Sequence, residues 1–149
     1  MAIRQAVEGQ RRIMGRLEKG ADILEGLSAV CREENVSMGR IEAIGAVTGA
    51  RIGYYDQHAG TYRYSSIHGG REIVSLTGNI SLSEGNPMIH AHIALADREG
   101  RMNGGHLAPG TTVFACEYLI EEFSSVGGTP LSRSPDRETG LLLWGGEER

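Results

Sequence analysis

The stretch Met88-Ile89-His90-Ala91-His92-Ile93-Ala94-Leu95 decides how the chain is read. Side chains on a β-strand alternate between faces, so His90 and His92 share one face while Ile89, Ala91, Ile93 and Leu95 share the other. A continuous apolar face needs a core beneath it. The opposite face then presents two imidazoles about 6.6 Å apart along the strand. At that separation both rings can lean onto a single ion at about 2.0–2.1 Å per Zn–N bond.

A third histidine follows in Met102-Asn103-Gly104-Gly105-His106-Leu107. Asp97-Arg98-Glu99-Gly100 forms a turn, and the paired glycines allow a sharp bend with positive φ. A hairpin-like return would bring His106 over the preceding strand. Three histidines leave a fourth tetrahedral position open, unlike a closed structural site. Imidazole suits zinc and several other divalent transition metals, so His90, His92 and His106 are assigned to one such ion, Zn2+ or a similar metal. His58 and His68 sit in or beside turns and are expected at the surface.

Working outward, Glu72 to Leu82 alternates: Val74, Leu76, Ile80 and Leu82 face one way, and Ser75, Thr77, Asn79 and Ser81 the other. Arg40 to Val47 and Ala50 to Asp56 read as strands, and Gln57 to Gly60 turns into a strand over Thr61 to His68. Glu84-Gly85-Asn86-Pro87 is a further turn. Leu141 to Trp144 is a last short strand. Thr112 to Phe123 reads as a strand apolar on both faces, with Val113, Ala115 and Leu119 on one side and Phe114, Tyr118 and Ile120 on the other. Such a strand needs two covers, and in a small protein one of them can be another subunit.

Glu117 falls on the Val113 face of that strand. A carboxylate there is costly unless paired. Two readings stand side by side. Glu117 either serves the histidine site, as general base or by accepting a histidine N–H, or it pairs structurally with an arginine.

One helix is marked. Asp22 and Glu25 form a capping box, Ile23, Leu24, Leu27, Val30 and Cys31 recur at helical spacing, and Asn35 terminates it. One amphipathic helix among many strands gives an α+β fold, a mostly antiparallel sheet covered by that helix.

The 149 residues suit one domain, 1–149, with a core from about 12 to 144; Met1 to Gln10 and Gly145 to Arg149 read as loosely held ends. The 22 glycines fit a turn-rich sheet. The net charge of −4 argues against nucleic-acid binding through the chain's own surface, since such domains carry basic patches. The run Arg11, Arg12, Arg16 and Lys19 reads as a solvated strand face. Cys31 and Cys116 lack CxxC neighbours and read as buried thiols in a reducing cytoplasm. No apolar run suits a membrane span, and the first residues lack a signal-peptide core. No P-loop or G-x-S-x-G setting is present.

Taken in order, these residues resemble the plant-and-prokaryote-conserved domain. The matching segments are Arg16 to Asp22, Ile44-Gly45-Ala46-Val47, Gly53-Tyr54-Tyr55-Asp56, Leu76 to Ser81, His90-Ala91-His92, Gly104 to Leu107, and Glu117. The resemblance implies an antiparallel α+β fold, a homotrimer, and metal at the three histidines. The domain also carries a DNA-binding label, which in plants accompanies an Arg-Gly-Arg-Pro hook; this sequence contains no such element. The expectation is a trimeric metal-binding module for protein interaction or regulation, linked to transcription. The alternatives are a zinc-dependent hydrolase or lyase using the same histidines, and a direct DNA binder.

Overall fold

A computed structural model describes residues 2–145, so the loose end expected over Gly145 to Arg149 lies, beyond its first residue, outside the described residues. Its strands are β1 (Val7–Leu17), β2 (Gly39–Asp56), β3 (Thr61–Ser83), β4 (Asn86–Ala96), β5 (Met102–Leu107), β6 (Thr112–Ser125), β7 (Ser132–Pro135) and β8 (Leu142–Trp144), with one helix, α1 (Ile23–Glu33). They form a single sheet in the order β1-β6-β2-β5-β4-β3-β7-β8, antiparallel except for β3–β7. A further β2–β3 pairing closes β2, β5, β4 and β3 into a ring.

The helix starts where the sequence places it. Asp22 caps it by accepting from the Glu25 N–H at 3.0 Å, and its second oxygen accepts from the Gly110 N–H at 2.6 Å. Asn35, just beyond the helix, takes φ 56°, the left-handed turn that asparagine tolerates. Ile23, Leu27 and Cys31 are buried against the sheet's inner face with Ile41, Leu76, Ile80, Ile93, Leu95, Val113 and Ile120. Burial pushes the thiols of Cys31 and Cys116 up to about 11, so both stay protonated at neutral pH.

Four expectations need correction. Val7 to Gln10 is not a loose end, because Val7 and Glu8 pair with Ser125 and Ser124 as the start of β1. The strands expected over Arg40 to Val47 and Ala50 to Asp56 are one continuous strand, as are those over Thr61 to His68 and Glu72 to Leu82. Val74 does not join the core. The register shifts between Ile73 and Ser75, so Ile73 turns inward in its place and Val74 is exposed. The register also shifts in β6, where Val47 opposes Val113 and Ala46 opposes Ala115. Phe114 is therefore displaced outward, and the inward set is Val113, Cys116 and Ile120. That shift separates Ala115, Glu117 and Leu119 from Val113.

Of the basic run near the N-terminus, Arg11, Arg12 and Arg16 are exposed on β1, and Lys19 is exposed in the turn beyond it. Arg11 bridges Glu122 and Glu34, and Arg12 meets Glu121, all at the surface.

Candidate metal centre

The β4 strand places the histidines as its alternation dictates. Ile89, Ala91, Ile93 and Leu95 are buried, while His90 and His92 rise from the other face. Across the β3–β4 ladder Asn79 stands opposite His90 and Thr77 opposite His92. On the other side His92 stands opposite His106 of β5.

His106 arrives by a different device from the one the glycines suggest. Gly104 and Gly105 are extended, not bent; the positive φ falls at Gly100, in the turn closed by the Gly100 N–H to Asp97 O bond of 2.9 Å. The glycine pair serves close packing instead. A Cβ on Gly104 would collide with the Ile93 carbonyl oxygen, and one on Gly105 would lie 2.7 Å from the Gly53 oxygen. β5 is thus pressed between β4 and β2, and His106 is held in the sheet, opposite Gly53. A Cβ on Gly53 would sit 3.2 Å from Tyr62 and 3.4 Å from the His106 Cβ. Its absence gives both rings room over the bare backbone.

The three imidazoles converge. Ring centroids lie 5.2 Å apart for His90 and His92, 5.1 Å for His90 and His106, and 5.8 Å for His92 and His106. One nitrogen from each lies within 4.8 Å of the others. Burial, reinforced by His106, Arg133 and His92, brings the His90 imidazole down to about 4. Burial, with His92 adding to it, also lowers His106. Both rings are therefore neutral at pH 7, the form that coordinates a metal. Buried Nδ1 of His106 has no hydrogen-bond partner among the described residues. A buried polar atom left unpartnered is unusual, and a ligand would satisfy it. The residues fit a divalent transition metal on both counts.

The remaining candidates lie elsewhere. His58 sits exposed in the β2–β3 turn. His68 is exposed within β3 opposite Gly49 rather than in a turn. Glu117 is not a buried acid. It is exposed on the outer face of β6, opposite Ile44 and Arg16, in a shallow depression with Ile44, Val74 and Ala115. It is not among the three residues whose ligand atoms converge.

Two residues that sequence reasoning missed border the site. Tyr62 of β3 lies 4.7 Å from His106, ring to ring. Arg133 of β7 donates through Nη2 to Asn79 Oδ1 at 2.6 Å, and Asn79 is the residue opposite His90. Both line a cavity of about 320 Å³ that His90 and His106 also border. Ser132-Arg133-Ser134-Pro135 carries no local signal for this role, since it reads as an ordinary polar loop.

The fold and site define an α+β domain with a partly closed antiparallel sheet and a three-histidine centre on its outer face. The chain belongs to the Plants and Prokaryotes Conserved (PCC) domain family, which it matches over residues 4–124. Solved structures agree. A metal-containing protein from Archaeoglobus fulgidus shares 35% identity with a TM-score of 0.89, covering 98% of this chain and 100% of the other. A plant- and prokaryote-conserved protein from Pyrococcus horikoshii shares 30% identity with a TM-score of 0.89, covering 99% and 100%. A protein from Ralstonia eutropha, named as a candidate DNA-binding protein, shares 28% identity with a TM-score of 0.75, covering 89% of each chain. The chain is also 30% identical over 128 residues to the bifunctional protein GlmU of a Synechococcus strain. That match covers 85% of this chain but spans 19% of the longer protein. Among the described residues, no helix is long and apolar enough to cross a membrane.

Proposed function

We propose that this chain is a metal-binding PCC domain that assembles as a homotrimer and acts in the cytoplasm as a regulatory or protein-interaction module, linked to transcription. The observation that carries the metal is the convergence of three histidine nitrogens within 4.8 Å, two of them on rings held neutral by burial. Zinc is the expected ion, given three imidazoles and no carboxylate in the set. The similarity to a metal-containing archaeal protein supports the same reading.

Two observations favour a module, and a third favours the trimer. The likeness to one-fifth of a longer bifunctional protein fits a domain that also occurs joined to others. Similarity to a candidate DNA-binding protein supports the link to transcription. For the trimer, an outward apolar surface on β1, β2, β3 and β6 offers a second cover. Met14 is 83% exposed, Ile44 58% and Phe114 54%, with Val74 beside them.

A second reading, a metal-dependent hydrolase or lyase, is favoured by the cavity that His90 and His106 border. When bound, the metal would supply Lewis-acid polarisation of a substrate oxygen. The chain's own part would be to hold that ion through His90, His92 and His106 and to shield it with Tyr62.

The test is metal analysis of untagged protein together with calorimetric titration of zinc. One ion per chain, lost in His92→Ala and kept in His68→Ala, is the expected result. No stoichiometric binding at neutral pH would reduce the cluster to three unrelated side chains.

A further inference from the structure

The arginine beside the histidines is unusual in its own right. Arg133 is only 8% exposed, yet no carboxylate among the described residues lies within ion-pair distance of it. Among the described residues its guanidinium is held by neutral acceptors alone. Nε donates to Ser81 Oγ at 2.9 Å, Nη1 to the Leu142 carbonyl at 3.0 Å and Nη2 to Asn79 Oδ1 at 2.6 Å. Trp144 braces the arrangement, with its ring centroid 5.6 Å from the guanidinium carbon and its Nε1 donating to the same Ser81 Oγ at 3.1 Å.

A buried cation without a counter-charge is costly, and proteins rarely keep one without use for it. Burial accordingly lowers the Arg133 pKa, although a guanidinium still stays charged. Three of its five N–H donors are spent, which leaves one on each terminal nitrogen. Two such donors on one planar group match the two oxygens of a carboxylate.

The cavity that Arg133 lines has about 320 Å³ of space. Tyr55, Tyr62, Met88, Leu142 and Leu143 supply largely apolar walls. Among the described residues no lysine and no second arginine lines it, so one negative charge is matched and two are not. Its size excludes a macromolecule and accommodates a ligand of modest size.

We propose that this cavity binds a small organic monocarboxylate, with the carboxylate on Arg133 and the apolar body against the tyrosines and leucines. The site gives the proposed module a ligand to respond to, and the arginine end of it does not need the metal. Restraint of the guanidinium by Ser81, Asn79 and Leu142 means little ordering is left for the ligand to impose.

The test uses the full chain freed of metal by chelation, with benzoate as the probe. Trp144, the only tryptophan, gives a fluorescence signal beside the site, and calorimetry gives the stoichiometry. A ligand of this size on one arginine is expected to bind at about millimolar strength or tighter. Benzamide, with the same shape and no charge, should bind at least about tenfold more weakly, as expected when a charge-assisted hydrogen bond is lost. Arg133→Gln should weaken benzoate to a similar degree. Met88→Trp, which fills the cavity and leaves the arginine bonds alone, should do so too, and it decides the matter alone if Arg133→Gln fails to fold. Equal affinity for benzoate and benzamide, or benzoate binding that survives Met88→Trp, would overturn the proposal. So would phosphate binding in place of benzoate, which would mark an inorganic-anion site. Repeating the titration with zinc separates the two readings. Benzoate binding without zinc binding leaves this site standing and removes only the metal. Zinc binding without benzoate binding does the reverse.

Discussion

His92 and His106 stand directly opposite each other across the β4–β5 ladder, with ring centroids 5.8 Å apart. His106 is thus fixed by strand register, not by a flexible loop. Its position depends on β5 lying flat between β4 and β2.

Gly104 tests that dependence. A Cβ there meets the Ile93 carbonyl oxygen, which is backbone and cannot swing aside. Gly104→Ala should cost about 1–3 kcal/mol, the range for overpacking. It should also weaken metal binding by displacing His106. Gly20→Ala is the control: nothing lies within 4 Å of a Cβ there, so only the strain of its φ of 89° is felt. Thermal melts and zinc titrations of both variants check this, and loss of metal binding in the Gly20 variant alone would reverse the argument.

His92→Ala should leave stability within about 0.5 kcal/mol, as expected for an exposed side chain, while removing most of the metal. His58→Ala should change neither. Circular dichroism paired with metal analysis reads both quantities on the same samples.

Asp56 provides a pH dependence separate from the histidines. Its carboxylate accepts from the Ala59 N–H, which lowers its pKa most, then from Arg63 and from the His58 N–H. A carboxylate lowered in the folded state stabilises it above the unfolded value of about 3.9. That contribution disappears as pH falls through the folded value. The difference in urea midpoint between wild type and Asp56→Asn should be constant above about pH 5 and shrink towards pH 3. Carbon-detected NMR of the Asp56 carboxyl should titrate below about 3.9, and a midpoint above that would contradict the hydrogen-bond account.

The outward apolar residues Ile44 and Val74 predict an assembly-dependent mass. Wild type should sediment as a trimer at micromolar concentration, and Ile44→Glu combined with Val74→Glu should dissociate it. Both side chains are exposed within one chain, so the pair should leave the monomer folded. A wild-type mass near 16.1 kDa would exclude the trimer.

Duplex DNA should not bind tightly. With a net charge of −4 and Arg11 and Arg12 of the basic run paired to glutamates, few counterions would be released on binding. Fluorescence anisotropy at about 0.15 M salt should give no submicromolar affinity, since specific binders reach at least that strength.

Strand alternation alone placed His90 and His92 on one face and the core on the other. The Asp22 cap and the apolar stripe over Ile23 to Cys31 placed the helix. These features are legible because they depend on neighbours within a few residues, where the backbone period is fixed by covalent geometry. The register shifts at Ile73 and Val113 were not legible. They arise where a long strand must pair with two partners at once, and each shift exchanges which side chains face inward. That is why Val74 turned outward and Glu117 lost its place beside Val113. The extended backbone of Gly104 and Gly105 was likewise decided by how closely β4 and β2 approach from either side. Arg133 belongs wholly to the tertiary structure. It lies 41 residues beyond His92 in the chain, and only the parallel β3–β7 pairing carries its guanidinium to Asn79 beside the histidines.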